Sequence, residues 1–108
     1  MVNLIQYDIY WVELNPTFGV EVNKTRPCII LSPKEMNDRL LTVIIAPITS
    51  TIKVLPFRPS IKIDNRNGQI MLDQLRSIDK RRIKKHIGSV GVNTIELIKE
   101  NIIEILAS

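Results

Sequence analysis

The alternation of apolar and polar residues predicts short β-strands along most of the chain. The stretch Ile9 to Leu14 mixes aromatic and β-branched residues and stops at Asn15-Pro16, a dipeptide that favours a turn. The polar residues from Pro16 to Thr25 then predict a flexible loop that is longer than an ordinary hairpin connection. Two later runs, Cys28 to Leu31 and Leu41 to Ala46, are almost continuously apolar and indicate buried strands.

Turn-forming residues set the expected limits of the next elements. A short helical turn is expected around Glu35 to Asp38, and Pro47 is expected to end the third strand. Further on, Ile61 and Ile63 alternate with polar neighbours, which predicts a fourth strand before a turn at Asn65 to Gly68.

Two strand-like segments follow, Gln69 to Leu72 and Leu75 to Ile78, on either side of Asp73-Gln74. No long helix separates any of these strands, and a parallel βαβ unit needs a helical crossover that the chain does not supply. The expected fold is therefore mainly β (α+β): a small, strongly bent antiparallel sheet or barrel.

The C-terminal segment changes from the period of a strand to that of a helix. Apolar residues recur there at steps of three and four: Ile95, Ile98, Ile102, Ile105 and Leu106. A glutamate recurs every fourth residue on a separate stripe, from Glu96 to Glu104. This pattern predicts one amphipathic helix, with Asn93 or Thr94 as its N-cap and Glu96 in its first turn.

Size and composition limit the class of protein. A chain of 108 residues, 44% of them hydrophobic, is long enough for one domain with a core, so residues 1–108 are expected to form a single domain. Its longest apolar runs are far shorter than the roughly 20 residues of a membrane-spanning helix, and we see no export signal. We therefore expect a soluble cytoplasmic protein with no membrane partner.

Several kinds of catalytic site are excluded by residue type. Cys28 is the only cysteine, so a disulfide framework and a cysteine-based zinc cage are both excluded, and burial inside its apolar run is expected. His86 is the only histidine, which excludes a two-histidine acid/base mechanism and favours a surface or partner-facing role. Glycine-rich phosphate loops and serine-hydrolase elbows are not found. Catalysis would have to use carboxylates, hydroxyls and arginine.

The net charge is +4, and the basic residues are unevenly distributed. Six of them lie in one stretch: Arg76, Lys80, Arg81, Arg82, Lys84 and Lys85. Such a cluster favours a polyanionic or acidic partner, although a solvated basic face is the alternative interpretation.

One arginine and a group of hydroxyls are placed where a phosphate could bind. Pro27 disfavours a helical conformation at Arg26 and presents this arginine at the mouth of a buried strand. The hydroxyls of Thr49, Ser50 and Thr51 follow the next apolar run. A guanidinium and a hydroxyl at neighbouring strand ends suit a phosphate group, but arginines at strand ends are also common without such a role.

The ordered set of motifs resembles the MazF/PemK-like toxin family from residue 8 to about residue 106. The motifs that carry the resemblance are Asp8-Ile9-Tyr10-Trp11-Val12, Asn15-Pro16 with Gly19 and Glu21, Thr25-Arg26-Pro27, Leu31-Ser32-Pro33, Asn37, Pro47-Ile48-Thr49-Ser50, Gly68, and Asp73 to Asp79. The resemblance implies a small SH3-like barrel with a C-terminal helix, a homodimer, and sequence-specific cleavage of single-stranded RNA without a cofactor or metal. It also implies neutralisation by a cognate antitoxin protein.

The resemblance assigns roles to individual residues. Arg26 matches the catalytic arginine of the family and Thr49 its catalytic threonine. RNA-binding roles are implied for a second group, which comprises Phe18, Glu21, Ser50, Asp73 and Gln74. Phe18 is expected to stack on a base, with a loop anchor as its alternative role.

Three residues depart from the family pattern. Tyr7 stands where the family usually has glycine before the first strand, and Val22 stands where it usually has glutamine. Met71 replaces an arginine to which one branch of the family assigns an acid/base role. The resemblance therefore favours a mechanism that uses Arg26 and Thr49.

The expected reaction is attack of a ribose 2′-OH on the adjacent phosphorus, which leaves a 2′,3′-cyclic phosphate and a 5′-OH. Arg26 would stabilise the developing charge and Thr49 would bind the phosphate, while Glu21 and Asp73 are the candidate bases. Two alternatives remain: a CcdB-like toxin of the same fold, which binds gyrase and cuts nothing, and a non-catalytic nucleic-acid-binding barrel.

Overall fold

The computed structural model describes residues 3–14 and 24–108. These residues form the following strands and helices, in order: β1 (Asp8–Leu14), β2 (Lys24–Ile30), α1 (Lys34–Arg39), β3 (Thr42–Thr49), β4 (Ser60–Ile63), β5 (Arg66–Ile70), β6 (Arg76–Asp79), β7 (Ile83–Ser89) and α2 (Val92–Ala107). Two 3₁₀ turns, Leu72–Gln74 and Lys80–Arg82, precede β6 and β7. The expected helical turn between the second and third strands is confirmed as α1. Most of the long loop expected between β1 and β2 lies outside the described residues.

The strands form one antiparallel sheet in the order β4-β5-β3-β2-β1-β7, with β6 also paired to β3. The first half of β3 pairs with β6, and its last two residues pair with β5. A strand that changes partners along its length bends the sheet, because its two halves follow different neighbours. The expected mainly-β fold is thus confirmed as a strongly curled antiparallel half-barrel with a C-terminal helix.

Both faces of the sheet carry an apolar core. The first core lies on the face that does not carry α2, which we call the inner face, and its buried members are Leu4, Tyr10, Val12, Cys28, Ile30, Val43, Ile45 and Ile78. The second lies between the sheet and α2, and its buried members are Ile9, Ile29, Leu31, Ala46, Ile48, Ile70, Leu72 and Ile98. Alternate residues of β2 therefore enter opposite cores, as the two-residue period of a strand requires.

The expected end of the third strand at Pro47 is wrong. Pro47 is buried inside β3 and stands opposite Cys28 of β2. Its carbonyl accepts a hydrogen bond of 2.8 Å from the backbone N–H of Met71. A proline lacks the N–H that a regular ladder needs, and it is tolerated here because β3 leaves β6 for β5 at this point.

The expected turn at Asn65 to Gly68 is also displaced. The hairpin between β4 and β5 turns at Asp64 and Asn65, whose φ angles are 48° and 64°. Positive φ at both central residues is the geometry of a type I′ turn, and Asp and Asn tolerate it better than most residues. Gly68 consequently lies within β5, where the absence of a side chain lets β5 pack closely against Ile48 and Thr49 of β3.

Two further predictions in the second half needed correction. The strand expected to reach Leu72 ends at Ile70, and Leu72–Gln74 forms a 3₁₀ turn. The strand β7 was not predicted, because Lys84, Lys85 and His86 are three consecutive exposed polar residues that break the alternation. β7 is an edge strand of the described sheet. Charged side chains on such a strand hinder its pairing with strands of other molecules.

The C-terminal helix is confirmed, but its start is not where the sequence placed it. α2 begins at Val92 with Gly91 as its N-cap, and no side chain caps it, so Asn93 and Thr94 lie inside the first turn. Ile98 is fully buried, and Ile102 and Ile105 pack beside it against the sheet. In the described part of the chain, no helix has the length and apolarity to cross a bilayer.

Candidate functional site

Arg26 is the third residue of β2, inside the strand rather than at its end as the sequence suggested. It stands opposite Val12 of β1, and Pro27 stands opposite Trp11. Because side chains alternate along a strand, Arg26 projects from the same face as Cys28 and Val12, which belong to the inner core. Arg26 is only partly buried, so it lies at the rim of that core.

Thr49 is the last residue of β3, as predicted, and it lies on a strand adjacent to that of Arg26. The β2–β3 ladder contains the pair Cys28 and Pro47. When this antiparallel register is continued by two residues, Arg26 stands opposite Thr49 on the same face. Arg26 and Thr49 therefore project from the same face of two adjacent strands, two residues beyond the last pair of their ladder, Cys28 and Pro47.

A second arginine reaches the same region. Burial raises the pKa of the Cys28 thiol to about 12, and the positive charges of Arg26 and Arg76 act against this rise. Arg76 stands opposite Ile45 of β3, on the inner face. The predicted burial of Cys28 is confirmed.

The segment that follows Thr49 is tied to it by a local hydrogen bond. The Thr49 hydroxyl oxygen accepts from the backbone N–H of Thr51 at 3.1 Å. This bond leaves the hydroxyl proton of Thr49 available for donation to a bound anion. Ser50 is exposed beside it and begins the connection to β4.

Asp73 lies in the 3₁₀ turn after β5, and its carboxylate is held by an arginine from the β3–β4 connection. Arg58 donates two parallel hydrogen bonds to Asp73, both of 2.9 Å. This hydrogen bonding is the main cause that lowers the pKa of the Asp73 carboxyl, and burial only partly offsets it. A carboxylate with a lowered pKa is a poor proton acceptor at neutral pH. Gln74 is exposed next to it.

Three residues of this region were not singled out from the sequence as site residues: Gln69, Arg58 and Arg76. Gln69 stands opposite Thr49, and its buried side chain binds the backbone of Lys53. Arg58 was missed because its partner, Asp73, is 15 residues away in the chain, and no local sequence pattern indicates this pair. Arg76 was counted only as part of a basic stretch, although it lies within the predicted segment Leu75 to Ile78 and is the first residue of β6.

Phe18, Glu21 and Val22 lie outside the described residues, so their proposed roles in RNA binding stay predictions. Tyr7 has a φ of 70°, in the left-handed region that favours glycine. The glycine that the family resemblance implies at this position would adopt the same conformation without strain. Met71 is a buried apolar side chain, so it offers no proton-transfer group.

His86 makes an internal contact as well as facing solvent. Its Nε2 lies 2.9 Å from the Asp8 carboxylate, and its ring packs edge-to-face on Tyr10 with centroids 5.1 Å apart. It is about half exposed, as a surface residue is expected to be. Among the described residues, no three histidine, cysteine or acidic side chains form a group able to hold a metal ion.

The basic stretch is partly neutralised by neighbouring groups. Arg81 forms two hydrogen bonds with the Asp79 carboxylate, of 3.0 and 2.8 Å, and Lys84 lies 3.8 Å from Glu13. The Lys80 ammonium donates to the backbone carbonyl of Asn37. The stretch is therefore partly a structural feature and only partly a free positive surface.

Gly68 sets how closely β5 approaches Thr49, and its substitution gives a direct test of that contact. A Cβ added at Gly68 would lie 3.0 Å from the Thr49 carbonyl oxygen and 3.2 Å from Cγ2 of Ile48. We expect Gly68→Ala to push β5 away from the end of β3, with a loss of about 1–3 kcal/mol of stability from overpacking. Thermal and urea unfolding measure this loss.

Gly88→Ala is the matched control for that experiment, since a Cβ at Gly88 meets nothing within 4 Å. We expect the unfolding midpoint of this variant to stay close to that of the unchanged protein. Equal unfolding midpoints for the two alanine variants would show that the space between Gly68 and Thr49 can accept a Cβ without a loss of stability.

Comparisons with known proteins agree on one family. A family model described as "PemK-like, MazF-like toxin of type II toxin-antitoxin system" matches residues 5–106. The endoribonuclease toxin MazF of Escherichia coli strain K12 is 33% identical over 96 residues, which covers 88% of this chain and 86% of that protein. The Endoribonuclease MazF of Escherichia coli O157:H7 matches with the same identity and coverage.

Solved structures are similar in fold. A MazE–MazF crystal structure from Deinococcus radiodurans superposes with a TM-score of 0.85 at 22% identity and covers 98% of this chain and 97% of that chain. The Mycobacterium tuberculosis toxin MazF-mt6 superposes with a TM-score of 0.77, again at 22% identity, and covers 90% of this chain and 93% of that chain. At this level of identity the likeness concerns the fold.

Proposed function

The chain belongs to the PemK-like, MazF-like toxin family of type II toxin–antitoxin systems, and on this premise we propose that it is a sequence-specific endoribonuclease that cuts single-stranded RNA. The resemblance seen in the sequence is thereby confirmed at the level of the family. The observation that supports the activity best is the placement of Arg26, Thr49 and Arg76 on the same face of three neighbouring strands, β2, β3 and β6.

The proposed chemistry uses a nucleophile that belongs to the substrate. The ribose 2′-oxygen attacks the adjacent phosphorus, the bond from phosphorus to the 5′-oxygen breaks, and a 2′,3′-cyclic phosphate and a 5′-OH result. The 2′-OH loses its proton to a base, and the leaving 5′-oxygen takes up a proton. Because RNA itself supplies the nucleophile, no activated water and no metal ion enter the proposed reaction.

Arg26 and Thr49 are the proposed catalytic residues. A guanidinium with a pKa above about 12 is a poor proton acceptor at neutral pH, so Arg26 stabilises charge on the phosphate oxygens as the bond to the 2′-oxygen forms. The hydroxyl of Thr49 donates to a phosphate oxygen and fixes its position. Arg76 adds a second positive charge on the same face, which favours binding of the polyanion.

Of the two carboxylates considered as the general base, one is already hydrogen-bonded to an arginine, and the other stays the candidate. Asp73 is tied to Arg58 by two hydrogen bonds, so we assign it to anchoring the loop and to base contacts rather than to proton abstraction. Glu21 remains the candidate base from the sequence. Ser50 and Gln74 are proposed to bind RNA because both are exposed next to Thr49 and Asp73.

The proposed partners are a cognate antitoxin protein and a second copy of the chain. An antitoxin with an acidic, disordered segment would compete with RNA for the same basic surface, and the net charge of +4 favours this association. Large exposed apolar side chains such as Leu41, Val92 and Leu106 are consistent with a homodimer. The mass of the purified protein in solution tests the dimer.

Cleavage of a long mixed-sequence RNA in the presence of EDTA tests the proposed function. We expect discrete fragments with 5′-OH ends, because the reaction requires no divalent cation. The ends are read by their resistance to ligation until a kinase has phosphorylated them. Full inhibition by EDTA with recovery on addition of Mg²⁺ would contradict the metal-independent mechanism.

The same assay separates the rival functions. A gyrase-binding toxin of this fold would leave the RNA intact and would inhibit DNA supercoiling. A non-catalytic nucleic-acid-binding barrel would retain RNA at low salt, release it at high salt, and form no product. The family comparison favours the nuclease over both alternatives.

A further inference from the structure

The residues on either side of the ten-residue connection from Ser50 to Pro59 both pair with the same residue of β5. Gln69 of β5 stands opposite Thr49, the residue before this loop, and also opposite Ser60, the residue after it. We call residues 50–59 the β3–β4 loop. The backbone of Gln69 therefore holds both ends of the β3–β4 loop together.

The side chain of Gln69 holds the loop at a further point. Its amide oxygen accepts from the backbone N–H of Lys53 at 3.1 Å, and its amide nitrogen donates to the backbone carbonyl of Lys53 at 2.6 Å. The residue is only 4% exposed, so both bonds are formed away from bulk water. One side chain thus satisfies both backbone groups of Lys53, as a neighbouring strand would do.

This arrangement determines which side chains of the loop face solvent. The two neighbours of Lys53 are apolar and outward-facing: Ile52 is 54% exposed, and Val54 is completely exposed. The positive charge of Lys53 is near enough to Asp73 to lower the pKa of that carboxyl, although the hydrogen bonds from Arg58 are the larger cause. An exposed apolar pair that flanks a lysine, next to Thr49, suits the faces and phosphates of unstacked nucleotides.

We infer that Gln69 is a positioning residue that sets RNA sequence preference by holding Ile52 to Val54 against the nucleotides next to the scissile phosphate. The inference rests on the proposed function and adds a residue to it. The Gln69 side chain does not touch the substrate and acts through the backbone of Lys53. The catalytic residues stay in place without it, because Thr49 is paired to β5 by backbone contacts.

Gln69→Leu tests the inference, because it removes both hydrogen bonds and keeps a side chain of similar length. Each bond is worth a factor of about five in an equilibrium, so we expect KM for a short RNA to rise roughly tenfold or more. We expect kcat to stay within about threefold of the original value, since charge stabilisation at the phosphate is unchanged. Mapping of 5′ ends on a long RNA should show a broader set of cleaved sequences.

Gln6→Leu is the matched control. Gln6 also donates from its amide to a backbone carbonyl, that of Leu31, at 2.8 Å, but this bond is formed just after the end of β2 at Ile30 and not to the β3–β4 loop. We expect this variant to lower the thermal midpoint without changing KM or the cleaved sequences.

The outcomes separate this inference from the proposed function. If the unchanged protein cuts no RNA, the proposed function fails and the inference falls with it. If the unchanged protein cuts RNA and Gln69→Leu has the same KM and the same cleaved sequences, only the inference fails. A loss confined to kcat, or one equal to that of Gln6→Leu, also overturns it, because it would indicate a merely structural role.

Discussion

Arg26→Ala should reduce RNA cleavage by roughly a hundred- to a thousandfold in kcat, the range measured when one preorganised donor to a developing oxyanion is removed. The physical reason is the position of Arg26 at the rim of the inner core, on the strand next to Thr49. Arg26 is only partly buried, and within residues 3–14 and 24–108 no ion pair of its guanidinium is seen. Single-turnover cleavage of a short RNA measures the effect.

Two further variants make this result specific. Arg26→Lys keeps one positive charge but loses the planar fork of donors, so we expect it to recover only a small part of the activity. Arg39→Ala removes an exposed arginine from the last turn of α1 and should cleave like the unchanged protein. Cleavage by Arg26→Ala at the original rate, or an equal loss in Arg39→Ala, would refute the assignment of Arg26 as a catalytic residue.

Asn37→Ala should cause the largest loss of stability among the substitutions considered, about 2–4 kcal/mol. Asn37 is only 2% exposed, and its amide joins separate segments of the chain. Its nitrogen donates to the backbone carbonyls of Ser32, at 2.9 Å, and Leu4, at 3.4 Å, while its oxygen accepts from the Ser32 hydroxyl. Alanine would leave these groups buried and unsatisfied.

Thermal and urea unfolding followed by circular dichroism measure this change, and we expect the thermal midpoint to fall by about 10 °C or more. Asn67→Ala is the control, because Asn67 is exposed on β5. Its midpoint should move by no more than the roughly 0.5 kcal/mol typical of surface substitutions. A shift in Asn37→Ala no larger than that of Asn67→Ala would mean that this buried network adds nothing to stability.

The regular elements were largely predictable because their patterns are local. The β-branched run around Ile29 and the three-and-four spacing of Ile98 and Ile102 are each visible within a few residues, and a strand and a helix lie there, although both begin earlier than expected. Errors arose where the pattern is not local. β3 continues through Pro47 because β5 takes over as its neighbour, and no window of sequence around Pro47 contains that strand.

The candidate site was predictable in part. Thr49 was expected at the end of a strand and lies there, and Cys28 was expected to be buried and is. Arg26 was expected at a strand end but lies within β2, because pairing with β1 extends the strand back to Lys24. Asp73 was predicted as a candidate base, yet its double hydrogen bond to Arg58 makes it a weak one.

Residue types and their order were enough to indicate a mainly-β fold with a C-terminal helix, a chemistry limited to carboxylates, hydroxyls and arginine, and the family. Only the tertiary structure decided which of these groups meet. The pairing of Arg76 with Ile45, and the two hydrogen bonds between the Gln69 side chain and the backbone of Lys53, join segments that are far apart in the chain. Such contacts follow from the register of the paired strands. That register depends on burying both apolar cores at the same time, so no single segment of the sequence determines it.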